Sequence, residues 1–488
     1  MKTKIFLLGI VAACIFLQPS GLSAQYFQKV YTIDQYDRTS RDIMRTQSGE
    51  YLIVGSSNNS NPADADLYVM RTNGNGDKLW DTIYGGARPD YAYHMTESFD
   101  GNYIVVGYSQ SFGPGDYDIY MLKIDPTGKM LKQRSVDFGG KNEEARQIVR
   151  THDNKFLVIG TTGIGSSSVK PDFVVLKIGD DLEDVEPAKT FGGSEAEYGL
   201  AIARTDDGYL LAGLTRSKGA GGNDAYVIKV DNNLSQIWDK TYGDVLDEEI
   251  VGLVANSDGT AMLAIRDSVP GPALDGNIEV MLQKIDASTA GAGAEVGSAK
   301  VYGGDSKDTP KTIMPVSTGG YIVGAISRSW WQDTPQAWLI RTDANGDDLW
   351  IRDYGLIHEH DHCHMIKESH DGGFVMVGHQ RQGAVMKIIF FKLDDSGAVG
   401  IDEAELELKG FALYPNPSTN SQVNMRISAE GTYQVQVLSL MGQEMYQGQV
   451  QLDGSGDVQL DLQQLNAGIY IVNVKGEKGS GSQKLILE

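Results

Sequence analysis

Cysteine is almost missing: Cys14 and Cys363 are the only two in 488 residues. Cys14 falls in the N-terminal apolar stretch, so a chain trimmed of that stretch keeps one thiol and can form no intramolecular disulfide. Packing alone must then hold the protein together. Positive charge is also scarce, with 42 Lys and Arg against 65 Asp and Glu and a formal net charge of −23. Removing residues 1–24, which carry Lys2 and Lys4 but no acid, makes the balance more negative still. Such a chain repels nucleic acid and anionic membrane, and cations or basic ligands suit it better. The apolar stretch Ile5–Leu17 is too short to cross a bilayer, and no later run is long enough. No long amphipathic helical pattern occurs either. With 58 Gly and only 14 Pro, the composition predicts an all-β, turn-rich fold. Signatures of several enzyme classes are missing too: there is no Gly-x-Ser-x-Gly elbow, phosphate-binding glycine loop or His-Glu-x-x-His.

What is present is a repeat. Tyr84-Gly85-Gly86, Phe138-Gly139-Gly140, Phe191-Gly192-Gly193, Tyr242-Gly243, Tyr302-Gly303-Gly304 and Tyr354-Gly355 recur at steps of 54, 53, 51, 60 and 52 residues. A turn signature runs in phase with them, from Gly49-Glu50-Tyr51 through Asp100-Gly101 and Asp207-Gly208 to Asp371-Gly372. A fixed period of this size means a repeat architecture, here seven copies across residues 25–400. Each copy offers four short strands a to d. In the second copy these fall at about 92–97, 103–108, 119–124 and 130–136, with Asp100-Gly101 turning a into b and Asp125-Pro126-Thr127-Gly128 turning c into d. Strand c carries a repeated cation (Arg71, Lys123, Lys177, Lys229, Lys284, Arg341 and Lys392), often preceded five residues earlier by an acid such as Asp118, which suggests a charged pair on the outer part of each sheet.

The two ends of the repeat complement each other. Phe27–Tyr31 reads like a d-strand, and the seventh copy stops after its c-strand at 390–394. The expected architecture is a seven-bladed β-propeller closed by its first strand, which also leaves no free sheet edge. An open solenoid, the rival, gives the stray first strand no purpose.

In such a meander the d→a and b→c connections share one face, and binding residues concentrate on loops of this kind. The d→a connections supply Asp90, Glu143, Glu197, Glu248, Asp308 and Asp361, each five residues before a repeated apolar position. Around a channel mouth they would attract a cation or a basic ligand; otherwise each caps its own turn. His358, His360, His362 and His364 alternate along one segment, so in a strand all four imidazoles share a side and could ligate a divalent metal ion such as Zn²⁺. The alternative is a partly exposed strand start whose histidines bond nearby turns. Trp330 and Trp331 fall in the sixth b→c loop and are candidates for stacking on a glycan, or else for packing over a neighbouring sheet. Asp343–Asp348 resembles the start of a calcium-binding EF-hand loop. Its sixth position is Asp rather than Gly, the distal Glu is missing, and it falls at a c→d turn, so a plain hairpin is expected.

The period ends near residue 400. Residues 401–410, with Asp402, Glu403, Glu405 and Glu407, read as an acidic linker. Alternating runs then follow at 423–427, 433–439, 444–450, 458–462, 469–474 and 484–487, the pattern of a small Ig-like β-sandwich over 411–488. Four motifs stand in order there: Leu413-Tyr414-Pro415-Asn416-Pro417, Ser439-Leu440-Met441-Gly442-Gln443, Leu465-Asn466-Ala467-Gly468-Ile469-Tyr470 and Lys484-Leu485-Ile486. In these residues the segment resembles the C-terminal sorting domain of the type IX secretion system of Bacteroidetes-type bacteria. The resemblance implies recognition by that secretion machinery, passage across the outer membrane, removal of the domain, and release or attachment at the cell surface. The repeats are similar to Asp-Gly-Gly-Tyr-type repeats common in exported Bacteroidetes proteins. Residues 1–24 fit a secretory leader, with Lys2 and Lys4, the apolar stretch, and Leu22-Ser23-Ala24 before Gln25.

The function expected is therefore a secreted or cell-surface, non-enzymatic binding protein whose propeller face engages a glycan, protein or cation. The alternative is an endoglucanase-like polysaccharide hydrolase on the same scaffold, since glycoside hydrolysis needs only two suitably spaced carboxylates.

Overall fold

A computed structural model of the chain describes residues 27–31, 37–58, 65–114, 116–165, 170–270, 277–329, 335–355, 360–383, 385–399, 411–419, 422–427, 431–439, 444–452, 456–476 and 479–487. Among these the regular structure is all β. Residues 37–84, 90–136, 143–191, 197–242, 248–302 and 309–354 form six four-stranded antiparallel meanders, sheets 1 to 6, each with strands a to d in chain order. Sheet 7 takes its a, b and c strands from His360–Glu368, Phe374–Gln382 and Val385–Leu393, and its outer strand from Phe27–Tyr31. That first strand pairs antiparallel with Val385–Leu393, Phe27 opposite Lys392 and Tyr31 opposite Ile388. Phe27 packs edge-on against Phe390 with ring centroids 5.0 Å apart.

The sheets stand in a ring of propeller type. Each a strand contacts the a strands of the sheets before and after it, and the a strand of sheet 7 contacts that of sheet 1. A separate apolar core fills each gap between neighbouring sheets. The gap between sheets 7 and 1 is no exception, with Ile43, Ile53, Tyr68, Val377 and Phe390 buried together. The b and c strands are nearly continuous runs of buried residues, as strands covered on both faces must be. The d strands, at the rim, are half exposed.

The repeated cation of strand c is paired, but not with the acid five residues before it. Lys123 meets Asp100 at 2.7 Å, Lys177 meets Asp153 at 3.1 Å and Lys392 meets Asp371 at 3.2 Å, while Lys229 pairs with Asp207. All four acids lie in the a→b turn of the same sheet. The reason is parity: residues five apart in a strand point to opposite faces, so Asp118 and Lys123 cannot meet.

A glycine in strand b marks a second regularity. A Cβ on Gly55, Gly107, Gly160 or Gly213 would lie 1.8–1.9 Å from a carbonyl oxygen of strand a. Each of these glycines faces an irregular step in strand a, where one extra residue bulges out of the ladder. Gly160→Ala is therefore expected to cost about 2–3 kcal/mol, because the bulge must shift to admit the methyl group. A urea midpoint unchanged from the parent would contradict this.

Residues 412–487 form two further sheets, one of three strands and one of four, around a single core that includes Val423, Met425, Tyr433, Val435, Val472 and Leu485. Two of the terminal motifs meet here. Asn416 donates from Nδ2 to the Lys484 carbonyl at 2.5 Å and accepts the Ile486 N–H at 2.9 Å, fastening the last strand. Tyr470 donates its hydroxyl to the Asn466 carbonyl at 2.8 Å. Residues 440–443 of the second motif, and the acidic stretch 401–410, lie outside the described residues.

Candidate functional site

Strict alternation would place buried residues of strand a an even number of positions apart. In this protein they are three apart: Ala92 and Met95, Ala145 and Ile148, Ile250 and Leu253, Cys363 and Ile366. Burying both members of such a pair requires one surplus residue between them, which is a β-bulge. All seven a strands have one, always at the same step. The surplus residues are Arg41, Tyr93 and Arg146 in sheets 1 to 3, Leu200 and Val251 in sheets 4 and 5, and Lys311 and His364 in sheets 6 and 7. All seven line one central cavity of about 680 Å³. The bulge thus turns one side chain per sheet from the ladder into the channel.

This ring is two-sided. Lys311, His364, Arg41, Tyr93 and Arg146 follow one another around one arc, and Leu200 and Val251 close the other. Tyr93 stands between two guanidinium groups, with the Arg146 carbon 4.2 Å and the Arg41 carbon 5.8 Å from its ring centroid. Glu144 holds Arg146 at 2.6 Å, and buried Asp42 holds Lys367 at 2.7 Å. Arg41 and Lys311 have no acid within ion-pair distance among the described residues. Burial holds the Lys311 amine below its ordinary range, and Arg41 and Arg266 push the same way against Glu249. Its side chain is nonetheless open to the channel space. Burial likewise lowers the Arg41 guanidinium.

The histidine segment is only partly as expected. His358 lies outside the described residues and His360 is exposed at the start of its strand. His362 and His364 come together with His379, which strand b places opposite His362. Ligand nitrogens of these three lie within 4.8 Å of one another, so they could hold a metal ion. All three imidazoles are kept neutral, mainly by burial and further by Arg41 and Lys311: His362 is held down to about 4, His379 to about 3, and His364 well below the usual range. Hydrogen bonds fix the tautomers of His364 and His379. Arg41 can only donate, so His364 Nδ1, 3.2 Å away, accepts. His364 Nε2 then carries the proton and donates to His379 Nδ1 at 2.9 Å. A metal on His364 Nε2 would move that proton to Nδ1, against the Arg41 donor. The local field also opposes a dication.

The six repeated acids are placed differently from a charged channel mouth. Asp90, Glu143, Glu197, Glu248, Asp308 and Asp361 are at most 1% exposed, and none lines the channel. Most are consumed by their own turns. Asp90 accepts the Gly86 N–H at 2.8 Å, Glu197 the Gly193 N–H at 2.7 Å, and Asp308 the Gly304 N–H at 3.0 Å. This accounts for the glycines of the Tyr-Gly-Gly repeat. A Cβ on Gly192 would sit 1.7 Å from Asp172 and 2.9 Å from Glu197. Trp330 and Trp331 lie outside the described residues. Sequence reasoning missed Arg41, Tyr93, Arg146, Lys311 and His379. The odd spacing of apolar residues in strand a was the available signal for the first four.

Fold and tail together define an all-β, propeller-type protein marked for export. Residues 412–488 match the secretion system C-terminal sorting domain, so this part of the chain belongs to that family. No curated protein matches the sequence significantly. Among solved structures the chain is similar to PorZ, an essential bacterial surface component of the type-IX secretion system of Porphyromonas gingivalis. Identity is 14% and the TM-score 0.43, over 92% of this chain and 59% of that one, less than two thirds of PorZ's length. It is also similar to the β-propeller domain of the Trilobed protease from Pyrococcus furiosus (10% identity, TM-score 0.42, 74% of this chain and 94% of that one). A third likeness is to Trypanosoma rangeli sialidase (7% identity, TM-score 0.39, 92% and 84%).

Proposed function

We propose that this protein is a non-enzymatic binding protein of the cell surface or its surroundings: a leader at 1–24, a seven-bladed propeller that holds a small ligand in its central channel, and an Ig-like sorting tail read by the type IX machinery. The observation that carries the binding reading is the ring of bulges, which aims one side chain from every sheet into a cavity of about 680 Å³. That size suits a small-molecule site. Against the hydrolase reading, Glu249 is the one carboxylate among the described residues that line the channel, where glycoside hydrolysis calls on two.

A glycan array and a reducing-sugar assay on the mature chain test this. Retention of a ligand without turnover is expected, weakened by Tyr93→Ala by about tenfold, because the ring edge and hydroxyl of Tyr93 and the seats of Arg41 and Arg146 are lost together. Sugar release abolished by Glu249→Gln would replace the binding reading with the hydrolytic one. For the tail, deletion of 411–488 is expected to leave the propeller inside the cell envelope. Surface proteolysis of intact cells, followed by immunoblotting, reads this directly, and unchanged surface exposure would refute the role.

A further inference from the structure

We infer that the channel is a receptor site for a small organic anion, its charged group held by Lys311 and Arg41 and its carbon skeleton laid against Leu200 and Val251. This rests on the reading of the channel as a ligand site and names the chemistry it selects. Several cations of the ring have their own acid. Lys123, Lys177, Lys229 and Lys392 each meet one from an a→b turn, and on the channel wall Arg146 meets Glu144 and Lys367 meets Asp42, both from a strands. With 65 acids in the chain, counter-charge is abundant. Arg41 and the exposed Lys311 line the same cavity with no acid in ion-pair distance among the described residues, and the Arg41 charge acts on the Lys311 amine. Arg41 Nε is buried and has no hydrogen-bond partner. Two like charges kept together without an anion cost stability, and that cost is recovered when an anion arrives.

The surroundings fit the same occupant. Of the three imidazoles only His364 is among the residues lining the cavity, and both its ring nitrogens are bonded, to Arg41 and to His379, so that wall adds no further charge. Tyr93, clamped between Arg41 and Arg146, offers a ring edge or a hydroxyl beside the charged arc. Opposite, Leu200 and Val251 can only take carbon. Glu249, the one acid among the described lining residues, counts against a polyanion filling the whole channel and suits a hydroxyl donor. A monoanion with a carbon ring meets all of these demands, and hexuronates are the simplest such class.

The test compares D-glucuronate with D-glucose, which share a ring and differ in charge, by calorimetric titration of the mature chain. Saturable glucuronate binding is expected, with glucose at least about tenfold weaker. Lys311→Ala and Arg41→Gln should each weaken glucuronate about tenfold or more. Lys311 is open to solvent, so its variant keeps the fold; an unchanged melting temperature verifies this. No saturable response to glucuronate, or equal response to both sugars, overturns the inference, and so does glucuronate binding that survives Lys311→Ala. Glucose binding that is lost in Tyr93→Ala would leave the channel as a ligand site while removing its anion selectivity. Zn²⁺ binding abolished by His379→Ala, with no glucuronate binding, would assign the site to a metal instead.

Discussion

Asp42→Ala is expected to cost about 3–5 kcal/mol, because it strands a partly buried cation and breaks a bond network shared between sheets. Asp42 is fully buried in sheet 1, yet it serves three sheets. One oxygen accepts the Met95 N–H of sheet 2 at 3.0 Å, and the other meets the Lys367 ammonium of sheet 7 at 2.7 Å and the Ile43 N–H at 2.8 Å. His94 stands 3.7 Å off. Removing the carboxylate leaves Lys367 without its acid and two buried N–H groups without acceptors, at the point where the ring closes. Burial raises the Asp42 carboxyl, but Lys367 and His94 outweigh it and the net direction is down. Its contribution is thus present above the ordinary carboxylate range and is lost as pH falls below it. A urea melt of the mature chain decides the matter, and a loss below about 1 kcal/mol would show that the three sheets hold together without this group.

A loss of stability toward pH 8, carried by two buried carboxyls, is the second large expectation. Glu143 and Glu248 are both buried and both pushed up to about 7. Burial is the larger cause for each, followed by Asp137 and Asp118 around Glu143 and by Asp244 and Asp267 around Glu248. Asp267 rises to about 6 for the same reasons. A carboxyl raised on folding favours the native state while it is protonated. Its contribution is full below about pH 4.5 and is lost as pH climbs through 7. Each carboxyl is worth on the order of 2 kcal/mol across that window. Glu143→Gln with Glu248→Gln should therefore raise the melting temperature at pH 8 by several degrees and flatten the decline. The sign is opposite for His362, His364 and His379, whose lowered folded values make stability fall as pH drops below the usual imidazole range. Below about pH 4, Asp180, Asp207 and Asp371 act the same way, held down by hydrogen bonds and by their lysine partners against the cost of burial. Calorimetric melting of parent and double variant between pH 4 and 9 reads both effects, and equal melting temperatures at pH 8 would contradict the assignment.

Period, turn chemistry and the stray first strand were legible because each rests on local rules. Asp-Gly pairs mark hairpins, two-residue alternation marks strands, and an unmatched d-type strand at 27–31 implies a partner at the far end. Lys123 and Asp118 were legible as charges but not as a pair, since partner choice depends on which face each residue occupies. For the acids of the d→a turns, ring and turn cap both stayed open for a related reason. Charge is visible in a sequence, but the backbone N–H of Gly86 or Gly193 that neutralises it is not. The channel ring lay hidden behind one irregular step: without the bulge, Tyr93 and Arg146 read as ordinary sheet residues. His379 carries no motif at all, and only strand pairing brings it to His362 and His364.

The outermost strand of sheet 7 precedes the other strands of the ring in chain order, and that ordering sets a timetable. Asp37 and Met386 share a hydrogen bond across 349 positions of chain, so the circle cannot be sealed until nearly all of the repeat has emerged. Loop-closure entropy makes such distant pairing slow. During that interval Phe27 and Phe390 are both without their partner, and the nascent edge of Val385–Leu393 is open to pairing with other chains. A newly exported molecule is therefore most prone to aggregation in the moments before its two ends meet, and a chaperone acting on it would do most good by shielding those two strands.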